Sequence, residues 1–314
     1  MVLPVFISYG YNAAMELKQL RTFEMAVRHG SFTRVARELG LSQPAVSGQI
    51  QALEQELGVK LLERQPRQVL LTSAGEVLLP YARRLLNLEA EATAAMAELE
   101  GAEATCLRLA ASPTIGAYLL PAMLGEFKRH HPSVRIIAEV EPTHRVVEAL
   151  QARAIDVGLV EAAVDSPELV VGVFFSDELV LIVPAGHAWA SRRSITPQEL
   201  AQQPLLTREP ESGTRALVEE ALAALGVRIT PALELGGVEA IKNAVIAGLG
   251  VSFVSRQAIR LEEKLAALVA VEVEGLDLCR PLYYVHNKHR HMSALLKSFL
   301  ELLQAASKRR EMLS

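Results

Sequence analysis

Five residues in one short stretch, Gln43, Pro44, Ser47, Gly48 and Gln51, have the types and spacing to read the edge of a nucleic-acid base pair. On a helix they share one side near its start. Amide side chains pair bidentately with adenine, and small residues let a helix backbone come close to bases and phosphates. Arg67, inside the run Gln65-Pro66-Arg67-Gln68, is of the type that meets phosphate or a narrow minor groove. Three other constellations sit where helical patterns begin: Ser112-Pro113-Thr114-Ile115-Gly116, Glu211-Ser212-Gly213-Thr214-Arg215 and Gly236-Gly237-Val238-Glu239-Ala240-Ile241-Lys242. Hydroxyls beside free backbone N–H groups cradle an anion, and a guanidinium such as that of Arg215 clamps a carboxylate or phosphate. Taken singly, each reads first as an ordinary helix cap.

The elements that position the first group are two short helices. Ser31 caps one whose inward face is Phe32, Val35, Ala36 and Leu39, and Gly40 ends it. Ser42 caps the next, with Pro44 in its first turn and Val46, Ile50, Leu53 and Leu57 facing inward. Spacing alone would suit any helical hairpin. The adjoining residues narrow it: Val59 to Arg64 and Val69 to Leu71 read as two short strands around the basic turn, which makes a wing.

From Thr72 to Glu100, Ala74, Leu78, Tyr81, Leu85, Leu88, Ala92, Ala95 and Leu99 repeat at alternating spacings of about four and three residues, a heptad seam. Thr72 or Ser73 caps this helix with Glu76 in its first turn. A long helix with one narrow apolar stripe wants a partner helix, so the segment reads as a dimerisation and linker helix; packing on its own domain is the alternative. Pro80 predicts a kink near residues 76–80.

After Gly101 to Thr105, a hinge by composition, the texture changes. Strand patterns at Cys106–Ala111, Val134–Val140 and Asp156–Val160 alternate with helical patterns at Tyr118–His130 and His144–Ala152. Val170–Phe175 and Leu179–Val183 read as two more strands. A second series comes next, with strands near Leu205–Thr207, Ala232–Leu235 and Gly250–Val254 and helices near Glu199–Gln202, Thr214–Leu225 and Val238–Ala247. Leu268–Val273 and Leu282–His286 are late strands, and Ser293–Ala305 is a terminal helix. Alternation of this kind indicates parallel βαβ units.

The order LKQLRTFEMAVRHGSFTRVARELGLSQPAVSGQIQALEQELGVKLLERQPRQVLLTSAGEVLLPYARRLL resembles the N-terminal module of LysR-type transcriptional regulators. That resemblance implies an all-α winged helix-turn-helix with a long linker helix, then an α/β two-lobe, periplasmic-binding-protein-like effector domain. It implies DNA contacts from Gln43, Pro44, Ser47 and Arg67, with Thr33 and Arg34 near the phosphates; Gln51 shares their face. Gly48 departs from the pattern, since relatives often carry a cation there. On the family's order, 1–14 is a disordered extension or comes from an upstream start codon, 15–72 is the DNA-binding domain, 73–100 the linker helix, 101–105 the hinge and 106–314 the effector domain. Lobe I takes 106–177 and 278–305, lobe II 178–277. The three helix starts then line one cleft, where Ser112, Thr114, Ile115, Gly116, Ser212, Gly213, Thr214, Arg215, Glu239 and Lys242 are expected to bind a small anionic effector. The wording ESGTR and GVEAIKNAVIAGLGVSFVS is similar to a branch sensing sulfur-assimilation or carbon-fixation metabolites. Promoter DNA, a homodimer through 73–100 that pairs into a tetramer, and RNA polymerase are the implied partners; no cofactor, metal or catalysis is implied.

Composition fits this reading without suggesting it. The 314 residues leave room for two domains, and half are hydrophobic. Net charge is −4, which gives no hint of nucleic acid. Residues 15–72 hold eight Lys/Arg against six Glu, a net of +2, so DNA affinity must come from placing Arg34, Lys60, Arg64 and Arg67 and from multivalency. No basic segment precedes the apolar run of residues 1–14, so a signal peptide is not expected, and apolar runs are too short for a membrane span; a cytoplasmic protein is the expectation. Cys106 and Cys279 read as inert buried thiols, away from where peroxide-sensing relatives keep their reactive pair. His286, His289 and His291 lack zinc spacing and are expected to come after a strand and face water. An enzyme or solute-binding protein built on the lobes alone is the rival class, opposed by the attached DNA module and the lack of a nucleophile or acid–base pair.

Overall fold

A computed structural model describes residues 15–65, 68–101, 105–210, 212–228 and 230–311. The chain divides into two compact units, Met1–Met96 with Ala152–Ala154, and Ala97–Gln151 with Ile155–Ser314.

The first unit begins with α1 (Leu17–His29), α2 (Phe32–Leu39) and α3 (Gln43–Leu57). Ser31 Oγ accepts from the Arg34 amide at 3.4 Å and Ser42 Oγ from the Ala45 amide at 3.3 Å, as the capping pattern requires. Gly40 ends α2 at φ +65°, a left-handed conformation that costs glycine little. Phe32, Val35 and Ala36 of α2 and Val46, Ile50 and Leu53 of α3 close a core with Leu20, Phe23 and Ala26 of α1. Leu57 was expected inside and is instead 40% exposed, because it stands in the last turn beyond the reach of α1 and α2.

The wing is β1 (Leu62–Gln65) against β2 (Gln68–Leu71), antiparallel, with Leu62 opposite Leu71 and Gln65 opposite Gln68. It starts three residues later than the apolar pattern suggested. The buried Glu54 explains this: its Oε1 accepts from the Leu61 and Leu62 amides at 2.9 and 3.3 Å, and its Oε2 from Lys60 Nζ at 2.6 Å. Those amides serve the carboxylate rather than a neighbouring strand. The Val69 amide donates to Gly30 O, which fixes the wing to the end of α1.

Helix α4 (Ser73–Leu99) is capped by Thr72, whose Oγ1 accepts from the Gly75 amide at 3.1 Å. It continues through Pro80, which leaves the Glu76 carbonyl without its usual donor. A Cβ on Gly75 would lie 2.2 Å from Leu61 O, so only glycine lets this turn press on the wing. The apolar residues of α4 face two ways. Ala74, Leu78, Leu79 and Leu86 pack on the unit's own core, around the buried Ala82. Val77, Tyr81, Leu85, Leu88, Met96 and Leu99 are exposed.

The second unit starts with β3 (Cys106–Ala111), α5 (Pro113–Tyr118), α6 (Leu120–His130), β4 (Arg135–Val140), α7 (Thr143–Gln151) and β5 (Val157–Val160). The strand β6 (Leu169–Pro184) comes next, then β7 (Ser194–Ile195), α8 (Pro197–Leu200), β8 (Leu206–Arg208), α9 (Gly213–Ala224), β9 (Leu233–Leu235), α10 (Val238–Ile246) and β10 (Ser252–Ser255). A 3-10 turn, Arg256–Ile259, leads into α11 (Arg260–Lys264), β11 (Leu268–Val273), β12 (Cys279–Asn287) and α12 (Ala294–Glu311). Strand order is β4-β3-β5-β12-β6-β11-β7, with β10 also on β6, and β8 pairs with β9.

One strand, β6, runs where two were expected. The polar pair Asp177-Glu178 looks like a break in sequence, yet it stays in the ladder opposite Arg280 and Cys279. At this point β6 changes partners: β12 holds it up to Glu178, and β10 takes over at Leu179. The β12 strand correspondingly begins at Cys279, earlier than its apolar run. Apolar clusters lie on either side of this change of partners. One gathers Leu109, Ile115, Phe127 and Phe299, and its counterpart gathers Leu181, Trp189, Leu222 and Phe253.

Candidate DNA interface and effector cleft

On α3 the exposed side near the N-terminus carries Gln43, Pro44, Gly48 and Gln51, with Ser47 partly covered. Thr33 and Arg34 are exposed in the first turn of α2. Nothing lies within 4 Å of a Cβ built on Gly48, so that position offers a close approach to a partner backbone. Arg67 lies outside the described residues, as do residues 102–104 of the hinge. Lys60 is already tied to Glu54.

In the second unit the point where β6 passes from β12 to β10 holds a buried ionic cluster that sequence reading missed. Arg280 Nε and Nη2 donate to Asp177 Oδ2 at 3.1 and 3.0 Å, Nη1 donates to Thr214 Oγ1 at 3.2 Å, and Nη2 lies 3.1 Å from Glu161 Oε2. Ser255 Oγ donates to Asp177 Oδ1 at 2.6 Å. Burial pushes the Asp177 carboxyl up despite the guanidinium beside it. The signal available in sequence was one Asp and one Arg, each interrupting a β-branched or apolar run.

The first predicted cradle holds a carboxylate of the protein's own. Glu161 Oε1 accepts from Ser112 Oγ at 2.8 Å and from the Thr114 amide at 3.0 Å. Ile115 is a core side chain with no exposure, and a Cβ on Gly116 would strike Val140 Cγ2 at 2.7 Å, so both serve packing rather than the cleft. The third start is similar: Glu209 Oε2 accepts from the Gly237 amide at 3.2 Å while its carboxylate pairs with Arg208. The Arg208 guanidinium holds Glu209 down to about 2.

At α9, Ser212 Oγ accepts from the Arg215 amide at 3.5 Å, and nothing lies near a Cβ on Gly213. Arg215 is tied to carboxylates of its own lobe. Its guanidinium donates to Glu219, Glu234 and the Arg208 carbonyl, because α9 lays it along its own surface toward β9. Arg280 is the guanidinium at the start of that helix instead. Lys242 is buried, donating to Ala258 O, 2.9 Å away, with Glu262 Oε1 at 2.7 Å and Glu239 Oε1 at 2.8 Å. Glu239 Oε1 also accepts from Tyr118 OH at 2.6 Å, which joins α10 to α5.

His286 is buried in β12, stacked on Tyr284, and does not face water. Cys279 is exposed where a buried thiol was expected, since the strand begins there; partial desolvation of its sulfur and the Asp277 carboxylate push its pKa up, which disfavours the reactive thiolate. Among the described residues no group of ligands could hold a metal, and no helix is long and apolar enough to cross a membrane.

Residues 17–76 match the family described as bacterial regulatory helix-turn-helix protein, lysR family. Residues 100–308 match the LysR substrate binding domain. The chain belongs to the LysR family. A probable RuBisCO transcriptional regulator of Cyanidioschyzon merolae is similar to this LysR-type regulator at 37% identity, over 91% of this chain and 96% of the relative. CbnR in complex with its target DNA superposes with a TM-score of 0.69 at 25% identity, covering 93% of this chain and 99% of CbnR. The CcmR regulatory domain of Synechocystis PCC6803, solved with 2-PG, gives 0.60 at 28% identity over 65% of this chain and 97% of that domain. The protein is therefore a DNA-binding transcriptional regulator with an α/β effector domain, and its relatives are regulators rather than enzymes.

Proposed function

We propose that this regulator acts on carbon-fixation genes and answers to a small anion held between its two lobes. The relatives named for RuBisCO operons support the target, and the 2-PG complex of CcmR supports the kind of effector. The observation that carries the anion reading is internal. Ser112 and the Thr114 amide already bind a carboxylate at 2.8 and 3.0 Å, and the Gly237 amide binds another at 3.2 Å. Donor sets that hold the protein's own carboxylates have the polarity to hold a ligand's.

Two copies join along the exposed seam of α4, so that two recognition helices read a pseudo-palindrome, and dimers pair into a tetramer. The anion prefers one lobe arrangement and shifts the population toward it, altering the spacing of the DNA modules, the bend of the promoter and the engagement of RNA polymerase. DNase footprinting upstream of the regulator's gene, with and without 2-PG among a panel of small anions, tests this. The expected result is a protected dyad whose length or hypersensitivity changes with one anion. Protection indifferent to every anion would remove the effector half, and no protection at low salt would remove both halves.

A further inference from the structure

We propose that Glu239 is a built-in substitute for the effector anion: it bridges Lys242 and Tyr118, and the incoming anion displaces it from both. This rests on the reading of the cleft as the effector site.

The geometry around Lys242 is unbalanced. One ammonium, with a side chain only 4% exposed, faces two carboxylates, Glu262 and Glu239. Its place is further fixed by the Ala258 carbonyl and by the Tyr118 ring, 5.3 Å away. A buried cation needs one carboxylate to neutralise it. Glu262, 16% exposed, fills that need from within, whereas the Glu239 side chain is 67% exposed. Glu161, by contrast, is 9% exposed and bound by Arg280, Ser112 and Thr114. Glu239 is thus the carboxylate of the two at Lys242 that water can take up more easily.

When Glu239 swings out, Lys242 Nζ and Tyr118 OH face the vacated place with a donor each. A single carboxylate or phosphate group of a small molecule fits that pair. The exchange replaces the direct bond between α10 and α5 with one that runs through the ligand, so ligand entry and the tie between these helices are one event. The same three side chains define both the class of ligand and the regulatory step.

Calorimetric titration of the full chain with 2-PG, and separately with inorganic phosphate, tests the exchange. Glu239→Gln removes the competing charge and is expected to bind about threefold to tenfold more tightly than the unaltered protein, with Glu239→Ala showing the same gain. Glu234→Gln makes the same charge change in the same lobe, beside Arg215, and is expected to stay within about twofold. Unchanged or weaker binding by Glu239→Gln, while the unaltered protein binds, overturns the proposal alone. An equal gain in Glu234→Gln also overturns it, as a general field effect. No binding of either probe by any of the proteins overturns the proposal together with the cleft reading.

Discussion

Glu54 illustrates how one side chain can shape a binding module without touching its partner. It sits in α3, 6% exposed, and gathers the amides of Leu61 and Leu62 and the ammonium of Lys60. Burial alone would raise its pKa, but the Lys60 ammonium and those amides outweigh that and hold it below the ordinary range. A carboxylate with a lowered folded pKa contributes stability above its unfolded value, about 4.3, and loses it as pH falls through the folded value. Glu54→Ala orphans two buried amides and is expected to cost about 2–4 kcal/mol, read by denaturant unfolding of the DNA-binding unit. The altered protein should also show a shallower acid dependence below pH of about 4.3; equal slopes would refute that assignment. Arg280 is the corresponding residue of the effector unit. Arg280→Met leaves Asp177 and Glu161 buried without a cation and is expected to destabilise that unit by about 3–5 kcal/mol. Adding Asp177→Asn should recover part of the loss, and a denaturation midpoint indifferent to both changes would deny the cluster any structural role.

At the scale of elements, α4 has two apolar faces, one packed and one exposed, and the sequence pattern merged them. The heptad register placed Ala74 and Leu78 in one seam with Leu85, Leu88 and Leu99. The fold assigns the first two to the unit's own core and leaves the others exposed. A period of 3.5 residues identifies an apolar stripe without saying what covers each turn of it. The glycine-dependent contact of Gly75 with Leu61 O explains the division, because it presses the first turns of α4 onto the wing. Leu85→Glu combined with Leu88→Glu changes only exposed positions, so the fold should persist while sedimentation shows the tetramer lost and no species larger than a dimer. A tetramer that survives this pair of changes would move the interface away from α4. Strand β6 shows the converse limit. Its charged middle reads as a break, yet Asp177 pairs with Arg280 inside the ladder, so the strand continues from one side of the change of partners to the other.

For the whole molecule, net charge alone does not account for DNA binding. A net charge of −4 opposes DNA, and the +2 of residues 15–72 is a weak attraction for one module. Two modules on one dyad convert the second contact into an intramolecular one, a gain of about 10²–10⁴ in affinity. The Leu85→Glu, Leu88→Glu protein should therefore lose about that factor in binding a two-site promoter while a single half-site binds as before. Equal affinity for both DNAs in the unaltered protein would show that the modules do not cooperate.

Sequence by itself determined the parts that depend on near neighbours. Caps at Ser31 and Ser42, the glycine between two amphipathic helices, the apolar stripe of α4 and the alternation of strands and helices are local, since they arise from backbone sterics and hydrogen bonds within a few residues. They were enough to name the family and to place Gln43, Pro44 and Gln51 on an exposed helix face. Only the tertiary structure decided which charges meet. Arg280 and Asp177 are 103 residues apart, and Tyr118 and Glu239 are 121 apart. No periodicity links such pairs; strand order and register bring them together. That is why Arg215, suggested by its place at a helix start, turned toward its own helix, and why Arg280, hidden in a β-strand, came to stand where β6 changes partners.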